Sequence, residues 1–251
     1  MPDRSGIIGV IPARYGSTRF PGKPLAPIAG KPMIQHVYER ALLATRLSNV
    51  VVATDDNRII KAVEAFGGKA LMTSTDNPTG TDRVAEVAAG LGSQFYVNIQ
   101  GDEPLIDPGH IDECARMLLD GHAMATLVTR IKHREDMHDP NVVKVVVSRD
   151  GFALYFSRAP IPFARDSKQS RTSECRYLRH VGIYGYTYET LMKLRDAGVC
   201  WLEEIESLEQ LRALWLGIRI RTSEVEAVGP CVDVPEDIPR VEAIMASEGK
   251  V

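Results

Sequence analysis

Between residues 14 and 23 the chain reads Arg14-Tyr-Gly-Ser-Thr-Arg-Phe-Pro-Gly-Lys23, which gathers Arg14, Arg19 and Lys23 with Gly16, Gly22, Ser17 and Thr18. That mixture suits a polyphosphate. Glycine lets backbone N–H groups approach phosphate oxygens, and Arg and Lys neutralise the charge that grows on a leaving group. The stretch is not a P-loop, because five residues separate Gly16 from Gly22 where that motif has four, and Pro24 follows Lys23 where a Ser or Thr should bind Mg²⁺. The chain also lacks G-x-G-x-x-G, which removes the main support for a nicotinamide or flavin cofactor. The alternative reading is a surface loop with solvated arginines.

A magnesium ion, if used, must then be held by carboxylates elsewhere. Gln100-Gly-Asp-Glu-Pro104 supplies Asp102, expected to project towards the Arg14 to Lys23 loop. Val232-Asp-Val-Pro-Glu-Asp-Ile238 supplies Asp233. Mg²⁺ takes one or two protein carboxylates beside substrate phosphates, so two aspartates suffice. Asp233 has a second reading as a helix N-cap ahead of Pro235. For a second substrate, Arg158 offers a planar fork for a carboxylate, and His180 and Tyr184 offer hydrogen bonds to hydroxyls. Tyr184 and His180 also read as ordinary strand residues. Glu209 and Gln210 fall on an expected amphipathic helix, 202–215, with Ile205, Leu208, Leu211 and Trp215 inward, and either face a cleft or are solvated.

The elements that must position these residues follow from hydrophobic rhythm. Runs 6–11, 49–54 and 94–99 read as buried strands, alternating with helices at 32–46, 57–67 and 81–91. This is an α/β pattern of parallel strands and crossover helices, a doubly wound sheet with ligands at the carboxyl ends of its strands. Met33, Val37, Ala41 and Ala44 share one face of the first helix. From about residue 123 the rhythm changes to strands at 123–131, 142–148 and 152–157, with Asp150-Gly151 as a hairpin turn, which predicts a mixed extension of the sheet. Residues 165–179 are polar and basic and read as a surface arm. His36, His110, His122, His133 and His138 have no ligand spacing and read as structural.

Composition limits the function classes. The 251 residues carry 30 Lys+Arg against 33 Asp+Glu, a net charge of −3, a near balance that argues against duplex nucleic acid as a partner, because such binders need a basic surface to replace counterions around phosphates. Cys114, Cys175, Cys200 and Cys231 form no C-x-x-C pair, which argues against zinc and fits a reducing compartment. The apolar run at 6–11 is too short for a signal or membrane span, so a cytoplasmic protein without membrane contact is expected.

Seven motifs, I-P-A-R-Y-G-S-T-R-F-P-G-K-P-L, N-P-T-G-T-D-R, Q-G-D-E-P, Y-F-S-R-A-P-I-P, R-H-V-G-I-Y-G-Y, S-L-E-Q-L-R and V-D-V-P-E-D, occur in that order from about residue 7 to 245. The ordered set resembles the 3-deoxy-manno-octulosonate cytidylyltransferase (CMP-Kdo synthetase) family. The first motif is shared loosely with sialic acid cytidylyltransferases. The resemblance implies one nucleotide-diphospho-sugar transferase-like domain over 1–251, with a nucleotide-binding half at 1–122 and a sugar-binding and dimerisation half at 123–251. It implies Mg²⁺-dependent transfer of CMP from CTP to Kdo with release of pyrophosphate, for lipopolysaccharide synthesis, by a cytoplasmic homodimer. Carried over by motif, Arg14, Ser17, Arg19 and Lys23 would hold the triphosphate, with Ala13 and Thr79, Gly80 and Thr81 near the nucleoside. Asp102 and Asp233 would bind Mg²⁺, and Gln100, Arg158, His180, Tyr184, Glu209 and Gln210 would line the sugar pocket. Rivals are a cytidylyltransferase for another acid sugar, a non-catalytic CTP-binding regulator and, more distantly, a glycosyltransferase.

Overall fold

The computed structural model describes residues 6–16, 19–165, 177–226, 229–247 and 249. Ser17 and most of the basic arm, including Lys168, Arg171 and Arg176, lie outside the described residues.

The chain begins with β1 (Ile7–Ala13), a hairpin of β2 (Pro27–Ile28) and β3 (Lys31–Pro32), and α1 (Met33–Ala41). It continues through β4 (Leu47–Thr54), α2 (Asn57–Ala65), β5 (Ala70–Met72), α3 (Gly80–Leu91), β6 (Phe95–Asn98) and α4 (Pro108–Leu119). The later elements are β7 (Met124–Arg130), β8 (Lys144–Val147), β9 (Ala153–Ser157) and β10 (Leu178–Thr187). They are followed by α5 (Tyr188–Ala197), α6 (Trp201–Glu206), α7 (Gln210–Trp215), β11 (Ile220–Glu224) and α8 (Ile238–Ser247).

The main sheet runs β11-β7-β10-β6-β1-β4-β5, with β8 and β9 branching from β10. The β1–β4, β1–β6, β4–β5 and β7–β11 pairs are parallel, whereas β10 is antiparallel to β6, β7 and β8. Strands from the second half of the chain thus join the sheet begun by the first. Alternation across β1 explains its unbroken apolar run: Ile7, Ile11 and Ala13 belong to the core on one face, with Ile34, Val37 and Ile111, while Ile8 and Val10 belong to the other, with Val84, Leu191 and Leu211. A third cluster of Ile28, Met33, Leu105, Val232, Val241 and Met245 seats α8.

Two helix predictions need correction. α1 ends at Ala41, short of residue 46, where Asp112 accepts hydrogen bonds from the Thr45 and Arg46 N–H groups and captures that segment for a different path. Ala44 remains buried. The helix expected over 202–215 is broken: Ser207 is left-handed (φ 51°) and ends α6 before α7 begins. Leu208 and Leu211 still point inward, but Ile205 and Trp215 face outward at 74% and 55% exposure.

Candidate active site

A cleft of about 660 Å³ opens at the carboxyl ends of β1 and β6. At its phosphate end, β1 runs out at Ala13 and delivers Arg14 and Gly16 to the wall, with Arg19 and Lys23 returning from the loop. The Gly22 N–H donates to the Tyr15 carbonyl (2.9 Å) and closes the loop, which requires Gly22 at φ 73°, a conformation other residues adopt at a cost. Arg14 reaches the Pro78 carbonyl at 3.5 Å, and Arg58 stacks over the Tyr15 ring, 3.3 Å from its centroid. Thr79 does not line the cleft. It caps α3 by accepting from the Asp82 N–H, and the following Gly80 and Thr81 form the wall.

Across from the loop, Gly101 passes so close to β1 that a Cβ there would stand 2.9 Å from the Pro12 carbonyl. This contact lets Asp102 meet the loop, where its Oδ2 accepts from Lys23 Nζ at 2.7 Å. The Val232 N–H donates to the Asp102 carbonyl (2.9 Å), so the backbone itself sets Asp233 beside Asp102. Asp233 lies 3.7 Å from Lys23 and 3.2 Å from Arg19. Its N-cap reading gives way to a different arrangement: Asp237 accepts from the Asp233 and Val234 N–H groups, which leaves the Asp233 carboxylate to face the cations.

The other end of the cleft depends on β10. Because this strand runs against its neighbours, its early residues lie at the carboxyl edge, with Tyr184 in register with Asn98 at the end of β6. His180, Gly182, Tyr184 and Gln100 line this end, together with Glu209 and Gln210 at the α6–α7 break. The His180 ring is held edge-on to Phe156 (5.2 Å between centroids) and beside Tyr184 (5.1 Å). Glu209 accepts from the Thr81 hydroxyl at 2.7 Å and so bridges the two ends. The structure does not bring Arg158 into the cleft. Its guanidinium donates to the carbonyls of Glu206 (2.7 Å), Pro140 (2.8 Å) and Ser207 (3.2 Å), where it braces the helix break and offers no free fork to a carboxylate.

The cytidylyltransferase family model matches residues 8–220. This chain belongs to the cytidylyltransferase family. A relative from Trichlorobacter lovleyi, named 3-deoxy-manno-octulosonate cytidylyltransferase, is 51% identical over 247 residues, covering 95% of this chain and 98% of its own. One of the same name from Escherichia coli is 50% identical, covering 97% and 98%. A solved structure of CMP:2-keto-3-deoxy-manno-octonic acid synthetase complexed with CTP matches with a TM-score of 0.91 at 48% identity, over 97% of this chain and 100% of the other. A cytidylyltransferase structure from Leptospira borgpetersenii, 17% identical with a TM-score of 0.65, shares the fold.

In this cytidylyltransferase the donor set fits a hard divalent cation. Asp102 and Asp233 converge on one ammonium group, Lys23 Nζ, as carboxylates around a cation do. No cluster of three or more metal-ligating side chains occurs among the described residues, so phosphate oxygens and water would have to complete the shell, as Mg²⁺ prefers. Burial and the neighbouring Asp102 push Glu103 up to about 8, so it adds little negative charge there at neutral pH. Burial, reinforced by Arg179, lowers His180 to about 3, and burial with Tyr186 and Glu209 nearby raises the Tyr184 phenol well above its ordinary value. Both side chains are neutral in the working range.

Three contributors to the cytidylyltransferase cleft escape sequence reasoning. Arg83, almost fully buried, lines the cleft while paired with Asp55 at 2.7 Å and bonded to Thr73. Asn98 lines it too, and its buried Oδ1 takes no partner among the described residues, as does Gln210 Nε2. Ser207 enters through the helix break. The signal for Asn98 is a polar residue closing the apolar run Phe95-Tyr-Val-Asn98.

Proposed function

We propose that the chain transfers CMP from CTP to the anomeric hydroxyl of 3-deoxy-D-manno-octulosonate (Kdo), releasing pyrophosphate, with Mg²⁺ as cofactor. The observation that carries this reading is the meeting of Lys23 with Asp102 and Asp233 at one end of a cleft whose other end is lined by hydrogen-bonding side chains and carries no cation cluster. The names of relatives about 50% identical over nearly their whole length supply the substrates. CTP has further support from the nucleotide bound in the structure that matches at a TM-score of 0.91.

The chemistry is an in-line attack by the sugar hydroxyl on the α-phosphorus, with the pyrophosphate oxygen leaving. Arg14, Arg19 and Lys23 hold the triphosphate, and the last two stabilise charge on the departing pyrophosphate. Asp102 and Asp233 would hold Mg²⁺, which when bound polarises phosphate and lowers the pKa of a coordinated hydroxyl. The proton of the attacking hydroxyl is released to water in the open cleft, so no strong side-chain base is required. Gln100, His180, Tyr184, Glu209 and Gln210 orient the sugar, and orientation alone removes much of the entropic barrier. The same reading makes the protein a cytoplasmic homodimer whose product feeds lipopolysaccharide synthesis. No described helix is long and apolar enough to cross a membrane.

A coupled pyrophosphate assay over CTP, UTP, ATP and GTP, each with Kdo and with sialic acid, tests this. Release with CTP and Kdo is expected. Preference for sialic acid would move the chain to another acid sugar, and CTP binding without release under any combination would make it a regulator.

A further inference from the structure

Thr126 lies inside β7, a strand buried along nearly its whole length, and its hydroxyl-bearing side chain has no exposed surface. A buried hydroxyl needs partners, and Thr126 has three. Opposite it the β7–β10 ladder shifts register: Val181 faces Leu127 but Tyr184 faces Thr126, so Gly182 and Ile183 are inserted without ladder partners. The bulge turns two carbonyls onto the Thr126 oxygen, Ile183 O at 2.7 Å and Val181 O at 3.2 Å. The third neighbour is His180 Nε2, at 3.0 Å.

Counting protons fixes the ring. A hydroxyl has one hydrogen, and carbonyl oxygens only accept, so the Thr126 hydrogen is committed to the bulge. The oxygen that remains is an acceptor, and Nε2 must carry the proton to bond it. Neutral imidazole has a single N–H, which leaves Nδ1 as a lone pair. The ring lines the cleft and is wedged between Phe156 and Tyr184, and Nδ1 has no hydrogen-bond partner among the described residues.

We infer that Thr126 is a positioning residue that holds His180 as its Nε2–H tautomer, so that Nδ1 accepts a hydrogen bond from a substrate hydroxyl and disfavours a carboxylate at that spot. A site built this way selects for the hydroxyl strongly, because a ligand lacking it leaves a polar atom unpaired. The kinetic side of this inference rests on the acid-sugar reading above, and the tautomer does not.

The test begins with a long-range ¹H–¹⁵N spectrum of the uniformly labelled protein without substrate, His180 being assigned by its loss in His180→Gln. A proton on Nε2 with a bare Nδ1 is expected, and a proton on Nδ1 overturns the inference without any variant. Thr126→Val, which keeps the shape and loses the hydroxyl, is expected to mix the tautomers and raise KM for Kdo about tenfold, the size of one lost hydrogen bond, with KM for CTP unchanged. Thr126→Ser, which restores the hydroxyl, should recover both. A Thr126→Val protein with the wild-type spectrum and KM, or one in which both KM values rise together, would overturn it. Absence of pyrophosphate from the wild type with Kdo would instead count against the activity, while the spectrum still decides the tautomer.

Discussion

The two ends of the cleft are made differently. The phosphate end is charged and accessible: Arg19 and Asp233 have side chains 67% and 43% exposed, and their pairing is a surface contact. The other end is packed and carries one carboxylate, Glu209, beside His180, Tyr184 and Gln210, which are held by neighbouring rings, strands and the braced helix break. A triphosphate carries enough charge to be gathered by exposed cations at a distance, whereas hydroxyls are told apart only by donors and acceptors fixed in place. Packing is therefore densest where the ligand offers least charge.

Four changes test this contrast. Asp102→Asn should lower turnover on the order of a hundredfold or more with the fold intact by circular dichroism, as expected for loss of one preorganised electrostatic group. Near-normal turnover at saturating Mg²⁺ would remove Asp102 from the metal site. Tyr184→Phe should raise KM for the sugar about tenfold and leave that for CTP unchanged. An equal rise in both would mean that the two ends are not separable.

His180 ties the packed end to stability. It is neutral when folded, at about 3 against an ordinary 6.5, so below 6.5 the unfolded chain binds a proton that the folded one refuses. Its contribution is complete above pH 6.5 and is lost as pH falls towards 3, up to about 2 kcal/mol by pH ~5. His180→Gln should flatten that slope in urea titrations at the two pH values. The smallest effect belongs to the charged end: Arg19→Gln should change unfolding free energy by under about 1 kcal/mol, because exposed pairs contribute little, while raising KM for CTP several-fold. A large loss of stability would show that the loop is structural.

How far the sequence foretold these ends also differs. The strand-loop at 7–23 and the placing of Asp102 were legible because local rules govern them: an apolar run must be buried, and the polar residues that follow it fall at the carboxyl edge of the sheet. The carboxyl-edge location of His180 and Tyr184 depends on the reversed direction of β10, which no local pattern states. Arg158 was misleading for a related reason. An arginine after a strand looks like a ligand fork until the carbonyls of Pro140, of Glu206 and of Ser207, the last 49 residues away, turn out to occupy it. The 202–215 helix reads as one amphipathic run because Leu208 and Leu211 keep their period across a break set by tertiary contacts.

The bond between Asp102 and the chain at Val232, and the Arg19 to Asp233 pair that spans 214 positions, make the acidic pair of the cleft from segments synthesised far apart. A growing polypeptide has its cationic loop and Asp102 long before Asp233 and the α8 anchor leave the ribosome. Until then it has half of an acidic pair facing Lys23. The carboxylate pair is thus completed only after the whole stretch between Asp102 and Asp233 has been made.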